Sequence, residues 1–153
     1  MKIGWMYLDK KAAALRAVKD YPTMDQIIKN YKLAVMDTRT HMQAPRSSIL
    51  SLAPGSSGVL AAEEGRVAGA IDTLDTLAER YQCAVDYMAW FRPAWDALND
   101  TEHIILSEFY HTDYVSRNDL ISGLSRTLFL ERAQIYRYKD KALERLAVSL
   151  YGL

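Results

Sequence analysis

Apolar positions fall into two long seams separated by a polar, breaker-rich stretch, and a third, shorter set of helical patterns follows. Leu8, Ala12, Leu15 and Val18 recur at helical spacing over about residues 7–20. Proline disfavours the helical state in the residue before it, so Tyr21-Pro22 predicts a stop there. Thr23 with Gln26 then reads as a capping box opening a second helix. Along that helix Met24, Ile28, Tyr31, Val35, Thr38 and Met42 are spaced 4, 3, 4, 3, 4, a heptad-like seam. From about 43 to 59 the periodicity collapses. The run from Ala44 to Gly58 holds two Pro, two Gly and five Ser, the composition of a flexible loop.

The strongest periodic signal comes next. Val67, Ile71, Leu74, Ala78, Tyr81, Val85 and Met88 hold one phase over three heptads, and predict a helix from about Leu60 to Phe91. Asp72, Asp75, Glu79 and Asp86 occupy its other face and read as a solvated stripe. Pro93 should end this helix and open a short segment with Trp95 and Leu98. Asn99 with Glu102 is a further capping pattern ahead of Ile104, Ile105 and Leu106. After the break HTDYVSRND, helices are expected over about 119–128 and 132–151. No stretch alternates with the period of a strand. The expected fold is all-α. A helical hairpin or coiled-coil region spans 1–92 and a helix-turn-helix module spans 93–153. The Met24–Met42 helix is only about half as long as its neighbour, so Val67, Ile71, Leu74, Tyr81, Val85 and Met88 are assigned to self-association, in the simplest case a dimer.

Composition narrows the function. The chain has 153 residues with 19 basic and 19 acidic side chains, a formal charge of zero, so no global basicity argues for nucleic acid. The single Cys83 excludes a disulfide framework and a cysteine zinc site, and is expected to pack as a small hydrophobe. His41, His103 and His111 have no metal-ligand spacing, and phosphate-loop, dinucleotide and nucleophile-elbow motifs are absent. Gly65 and Gly69 permit close backbone approach and no more. No enzyme, metal or cofactor is expected. No apolar run is long enough for a membrane span and no secretory leader opens the chain, so a cytoplasmic protein is expected. Charge is nevertheless uneven. Residues 98–119 carry a net of −4, whereas 132–145 carry a net of +3 from Arg132, Arg137, Lys139, Lys141 and Arg145 against Asp140 and Glu144. On that last helix Ile135, Tyr138, Ala142 and Leu146 are spaced as a buried stripe, with Arg132, Ala133, Tyr136, Arg137 and Lys141 on the other side.

The segment from Leu98 to Leu146 resembles region four of bacterial sigma factors and its phage relatives. The family opening stands here as Leu98, Thr101-Glu102, Ile104-Ile105-Leu106 and Phe109-Tyr110. Its closing pattern stands as Glu131-Arg132-Ala133-Gln134-Ile135-Tyr136-Arg137, then Ala142-Leu143 and Leu146. The whole chain is similar in architecture to phage and mobile-element regulators related to the autolysin-regulator (ArpU-like) family. The resemblance implies a transcription regulator that binds double-stranded DNA and contacts RNA polymerase. Its final helix would enter the major groove. Arg132 and Arg137, with Gln134 and Tyr136, would face bases, and Lys139, Lys141, Arg117 and Arg126 would face phosphates. Three positions depart from the family pattern. Phe109 replaces an arginine, Phe129 stands where the turn has glycine, and Glu131 stands where an N-capping Ser or Thr is usual. A phenylalanine resists positive φ, which predicts a reshaped or longer turn. These departures, with the zero net charge, favour the alternative of a helical interaction or scaffold protein.

Overall fold

The computed structural model describes residues 9–43, 57–113 and 116–152, the side chains of residues 57–60 excepted. They form five helices and, among the described residues, no strand: α1 (Lys10–Gln43), α2 (Ser57–Asp96), α3 (Asp100–Tyr110), α4 (Arg117–Leu128) and α5 (Arg132–Tyr151). The all-α expectation holds. The middle of the expected loop at 43–59 lies outside the described residues, as does Leu8, whereas Gln43 closes α1 and α2 already begins at Ser57.

Both predicted proline breaks are absent, and for Pro22 the reason is visible. A proline inside a helix removes one backbone donor and costs about 3 kcal/mol. Here the lost donor would have served the carbonyl of Val18, four residues back. The ring N–H at Nε2 of His111 donates to that carbonyl at 2.7 Å. The hydroxyl of Tyr87 donates to the adjacent carbonyl of Ala17. The His111 side chain, just past the end of α3, thus replaces the donor that proline removes, and α1 runs on for 34 residues. Thr23 is consequently interior to α1 and caps nothing. Pro93 also lies within its helix, α2. Ala89, whose carbonyl loses the donor there, and Pro93 itself are exposed, where water can serve the carbonyl. The expected difference in length between the two seam helices disappears with these breaks, since α1 has 34 residues and α2 has 40.

Internal contacts divide the chain into two compact units, Met1–Met24 with Asp86–Leu153, and Asp25–Val85. The sequence reading instead groups all of 1–92 together, and its boundary at 92/93 falls inside α2.

The first unit holds two apolar clusters. One gathers Ala14, Ala17 and Val18 of α1, Phe91, Ala94, Trp95 and Leu98 from the end of α2 and beyond, Leu106 of α3, and Ala142, Leu143, Leu146, Ala147 and Leu150 of α5. The small residues on α1 and α5 let backbones approach around the aromatic rings of Phe91 and Trp95. The other cluster joins Ile105 of α3, Leu120, Ile121 and Leu124 of α4, and Ile135 of α5. Adjacent residues Ile105 and Leu106 therefore point α3 into both clusters. The capping box at Asn99 forms as expected: the Asn99 side chain accepts from the Glu102 N–H at 2.9 Å, and Glu102 Oε2 accepts from the Asn99 N–H at 3.0 Å.

In the second unit α1 and α2 run antiparallel. Tyr31 stacks on Tyr81 with ring centroids 4.3 Å apart, and Arg66 donates to the Met42 carbonyl at 3.4 Å. Ile28, Tyr31, Val35, Thr38 and Met42 are half-buried as their spacing predicts. The α2 seam is rotated from its predicted phase. Ala70, Leu74, Leu77 and Tyr81 are half-buried and Ala84 is buried, whereas Val67, Ile71 and Ala78 are exposed. Val85 is half-buried, and Met88, in the first unit, is buried. Cys83 is exposed, contrary to the packed position expected for it. Nothing lies within 4 Å of a side chain added at Gly65 or Gly69, so neither serves a close approach here.

Candidate nucleic-acid interface

The helices α4 and α5 are joined by three residues, Phe129 to Glu131. Helix α4 opens on Ser116, whose Oγ accepts from the Asp119 N–H at 3.2 Å and donates to the Asp119 carboxylate at 2.7 Å. It closes on Phe129, which adopts the left-handed conformation at φ 55°, ψ 37°. Phenylalanine thus takes here the positive φ that it was expected to resist. Leu128 and Leu130 both pack against the second cluster, and Ser125 Oγ donates to the Leu130 carbonyl at 2.7 Å. Both neighbours are drawn inward, and Phe129 between them projects outward. Phe129 is 92% exposed. Helix α5 then starts with Glu131 as N-cap, its N–H donating to Gln134 Oε1 at 2.9 Å.

The eight residues assigned to DNA occupy distinct surroundings. Arg126 and Arg132 line one shallow concavity with Asn118, Ile121, Ser122 and Ser125. Arg137 and Lys141 are exposed on the outer face of α5, and Gln134 is exposed with its side-chain oxygen committed to the cap. Arg117 is exposed, its guanidinium 6.0 Å from the centroid of Phe109. Two residues turn inward. Tyr136 is half-buried, edge-on to Phe109 at 5.9 Å. Lys139 keeps only 18% of its side chain exposed, with its ammonium 5.2 Å from the ring centroids of both Phe109 and Tyr136. Such cation–π contact holds the charge over the rings instead of leaving it in open solvent. Phe109 supplies one of the two rings that hold it.

This follows from the phase of α5. The buried set is Ile135, Ala142, Leu143, Leu146, Ala147 and Leu150, and Tyr138, expected on that stripe, is 39% exposed. Lys139 lies four residues after Ile135 and three before Ala142, on the inward line.

Three acids near these cations have ion-pair partners, and Asp140 lies 4.0 Å from Lys139 itself. Lys11 of α1 lies 3.6 Å from Asp140 and 3.5 Å from Glu144. Glu102 is 4% exposed and takes both carboxylate oxygens to Arg145 Nη1, at 2.8 and 2.7 Å. The sequence reading counts Arg145 in the charge of α5 and Glu102 in that of residues 98–119, and does not pair them. The ion pair links residues 43 apart, and no local pattern announces it. Burial, the Asp140 carboxylate and, in the opposite sense, Arg117 act on Tyr110, whose hydroxyl is raised above its usual pKa.

Family models, curated proteins and solved structures were all compared with the chain, and none matches.

Among the described residues no group of three or more His, Cys, Asp or Glu side chains could hold a metal ion, and no helix is long and apolar enough to cross a membrane. What the surface of α4 and α5 offers chemically is a set of exposed guanidinium and ammonium groups. Arg126, Arg132, Arg137 and Lys141 form no salt bridge among the described residues.

Proposed function

We propose that the chain is a sequence-specific, double-stranded-DNA-binding transcription regulator acting in the cytoplasm. In this reading α4, the three-residue turn and α5 serve as a helix-turn-helix, with α5 as the recognition helix. The observation that carries it is the sorting of charge. The acids Asp140, Glu144 and Glu102 are paired with Lys11, Lys139 and Arg145, while Arg126 and Arg132 line one concavity beside the turn and Arg137 and Lys141 stay exposed further along α5. A chain of zero net charge can in this way offer a basic face to a polyanion.

Arg137 and Lys141 project from the outer face of α5 and are the candidates to enter the groove. Tyr136 and Lys139 act from beneath, by fixing α5 on α3, and drop from the list of direct contacts. The resemblance to sigma region four adds RNA polymerase as a second partner. Pairing of two copies through the second unit would supply the two-fold symmetry of paired half-sites.

Selection from random duplexes, followed by fluorescence anisotropy at two salt concentrations, tests the proposal. The expected result is an enriched motif bound with steep salt dependence. Arg137→Ala should cost roughly 1–3 kcal/mol and relax preference at one position, whereas Lys141→Ala should weaken all sequences alike. If both variants stay folded and bind as the parent does, the proposal fails.

One observation favours a second reading, a helical interaction protein without DNA. In the second unit Leu33 and Met36 of α1 are 67% and 64% exposed. Absence of salt-dependent retention on heparin and on duplex DNA would give that reading the lead.

A further inference from the structure

The concavity beside the α4–α5 turn separates Arg132 from Arg137 in role. Arg126 comes from the last turn of α4 and Arg132 from the first residue of α5, and both line the same depression. The short turn fixes their spacing, since Leu128, Leu130 and the Ser125 hydrogen bond anchor it on both sides. Neither guanidinium has a carboxylate within salt-bridge distance among the described residues. Glu131, the nearest acid in sequence to Arg132, is exposed with no such bridge to either. Two like charges facing one depression repel each other, and an anion between them removes that repulsion. Ser122 and Asn118 on the same wall add a hydroxyl and an amide as further donors. The lining is mostly polar, which suits a hydrated oxyanion better than an apolar ligand. Planar, forked guanidinium groups match the oxygens of a phosphate.

We infer that Arg126 and Arg132 together form a seat for a single phosphate ester. On the DNA reading above, from which the choice of ligand follows, this is one backbone phosphate of the duplex. Arg132 is then a positioning contact and not a base reader, and sequence preference rests on the outer face of α5.

The first arm of the test uses inorganic phosphate on the full chain at constant ionic strength, with the arginine Nε–H signals followed by NMR. Arg126 and Arg132 should shift together along one saturation curve, and Arg137 should not follow. The second arm uses duplex DNA. Arg126→Ala, Arg132→Ala and the double variant should each weaken matched and mismatched duplexes by the same factor, and the double variant should lower the salt slope by about one, not two. Arg132→Lys should recover part of the loss. Circular dichroism checks the fold, which these exposed positions should leave intact. Loss of preference at one base position in Arg132→Ala would overturn the inference, as would a phosphate titration that moves the two arginines separately or not at all. Joint shifts with phosphate but no duplex binding would keep the seat and overturn the DNA reading.

Discussion

The two units bury their apolar residues very differently. In the first, α1, the end of α2, α3, α4 and α5 enclose Phe91, Ile105, Leu106, Ile135, Leu146 and Val18 almost completely. In the second, two helices pair and Ala84 alone is buried among the described residues. Yet the second unit carries the most regular heptad spacing in the chain. Regular spacing reports that a helix has an apolar stripe. It does not report how many neighbours cover it. Two helices shield one line of contact each, so Val67 and Ile71, beside the line of Ala70, Leu74, Leu77, Tyr81 and Ala84, stay 37% and 48% exposed. Enclosure needs a third helix, and among the described residues only the first unit has one.

The largest predicted effect sharpens this contrast. Phe91 is fully buried and rests on Tyr21, Tyr87 and Trp95 at 5.5, 5.3 and 5.6 Å between ring centroids. Phe91→Ala should destabilise the first unit by about 3–5 kcal/mol through lost contact and a residual cavity. Ile71→Ala, on the regular seam, should stay within about 0.5 kcal/mol. Urea denaturation followed by tryptophan fluorescence and by circular dichroism measures both. Equal losses would mean that Ile71 is covered in solution, as self-association through the second unit requires, and the comparison would then hold only for a single copy.

A charged contact gives the next effect. Arg145→Ala leaves Glu102 buried with its capping bond and no cation. Because Arg145 keeps 54% of its side chain exposed, the loss should be about 2 kcal/mol, below that of a fully buried pair. Glu102→Gln in the same background should recover part of it, since a neutral amide needs no counter-charge. The measurement is the denaturation midpoint of the two variants against the parent.

The parts of the fold legible in the sequence are those decided locally. The Asn99–Glu102 box and the bounds of α5 depend on residues within one or two turns, and they stand where the pattern puts them. The uninterrupted α1 was not legible, because the carbonyl that Pro22 leaves without a donor is served by His111, far away in sequence. In the candidate site the exposed places of Arg132, Arg137 and Lys141 follow from helical phase. The inward turn of Lys139 does not, because it depends on Phe109 from α3 arriving beneath it.

Alkaline titration probes the same tertiary bonds. Burial, then the Asp20 carboxylate, then Tyr151 and Tyr21 raise the hydroxyl pKa of Tyr87, and burial also raises those of Tyr110 and Tyr151. All three belong to the first unit. Unfolded tyrosine ionises near pH 10 while the folded groups still hold their protons. Their contribution is therefore complete below about pH 10 and lost as pH rises through the raised folded values. Tyr87→Phe should flatten that decline, and at neutral pH should cost about 1 kcal/mol for the bond to the Ala17 carbonyl. Unfolding free energies measured from pH 8 to 11 check both. A decline of unchanged steepness in Tyr87→Phe would assign the alkaline loss to other groups.

The smallest effect lies at the turn, where the first unit carries a local cost that its enclosure can absorb. Phe129 sits at φ 55° and is 92% exposed, so it gives up backbone comfort and gains almost no burial. A non-glycine residue in this region costs on the order of 1 kcal/mol, and glycine removes that cost. The unfolded chain gains freedom with glycine, which offsets part of the gain. Phe129→Gly should therefore raise the stability of the first unit by somewhat under about 1 kcal/mol. The turn persists in the parent because Leu128, Leu130 and Ser125 define it from both sides, and Leu130→Ala should consequently destabilise even though it removes no strain. Thermal denaturation of Phe129→Gly, Leu130→Ala and the parent decides the point. If glycine lowers the melting temperature, the exposed ring is making a contact in solution that offsets its backbone, and the turn rather than the core would be the place to look for it.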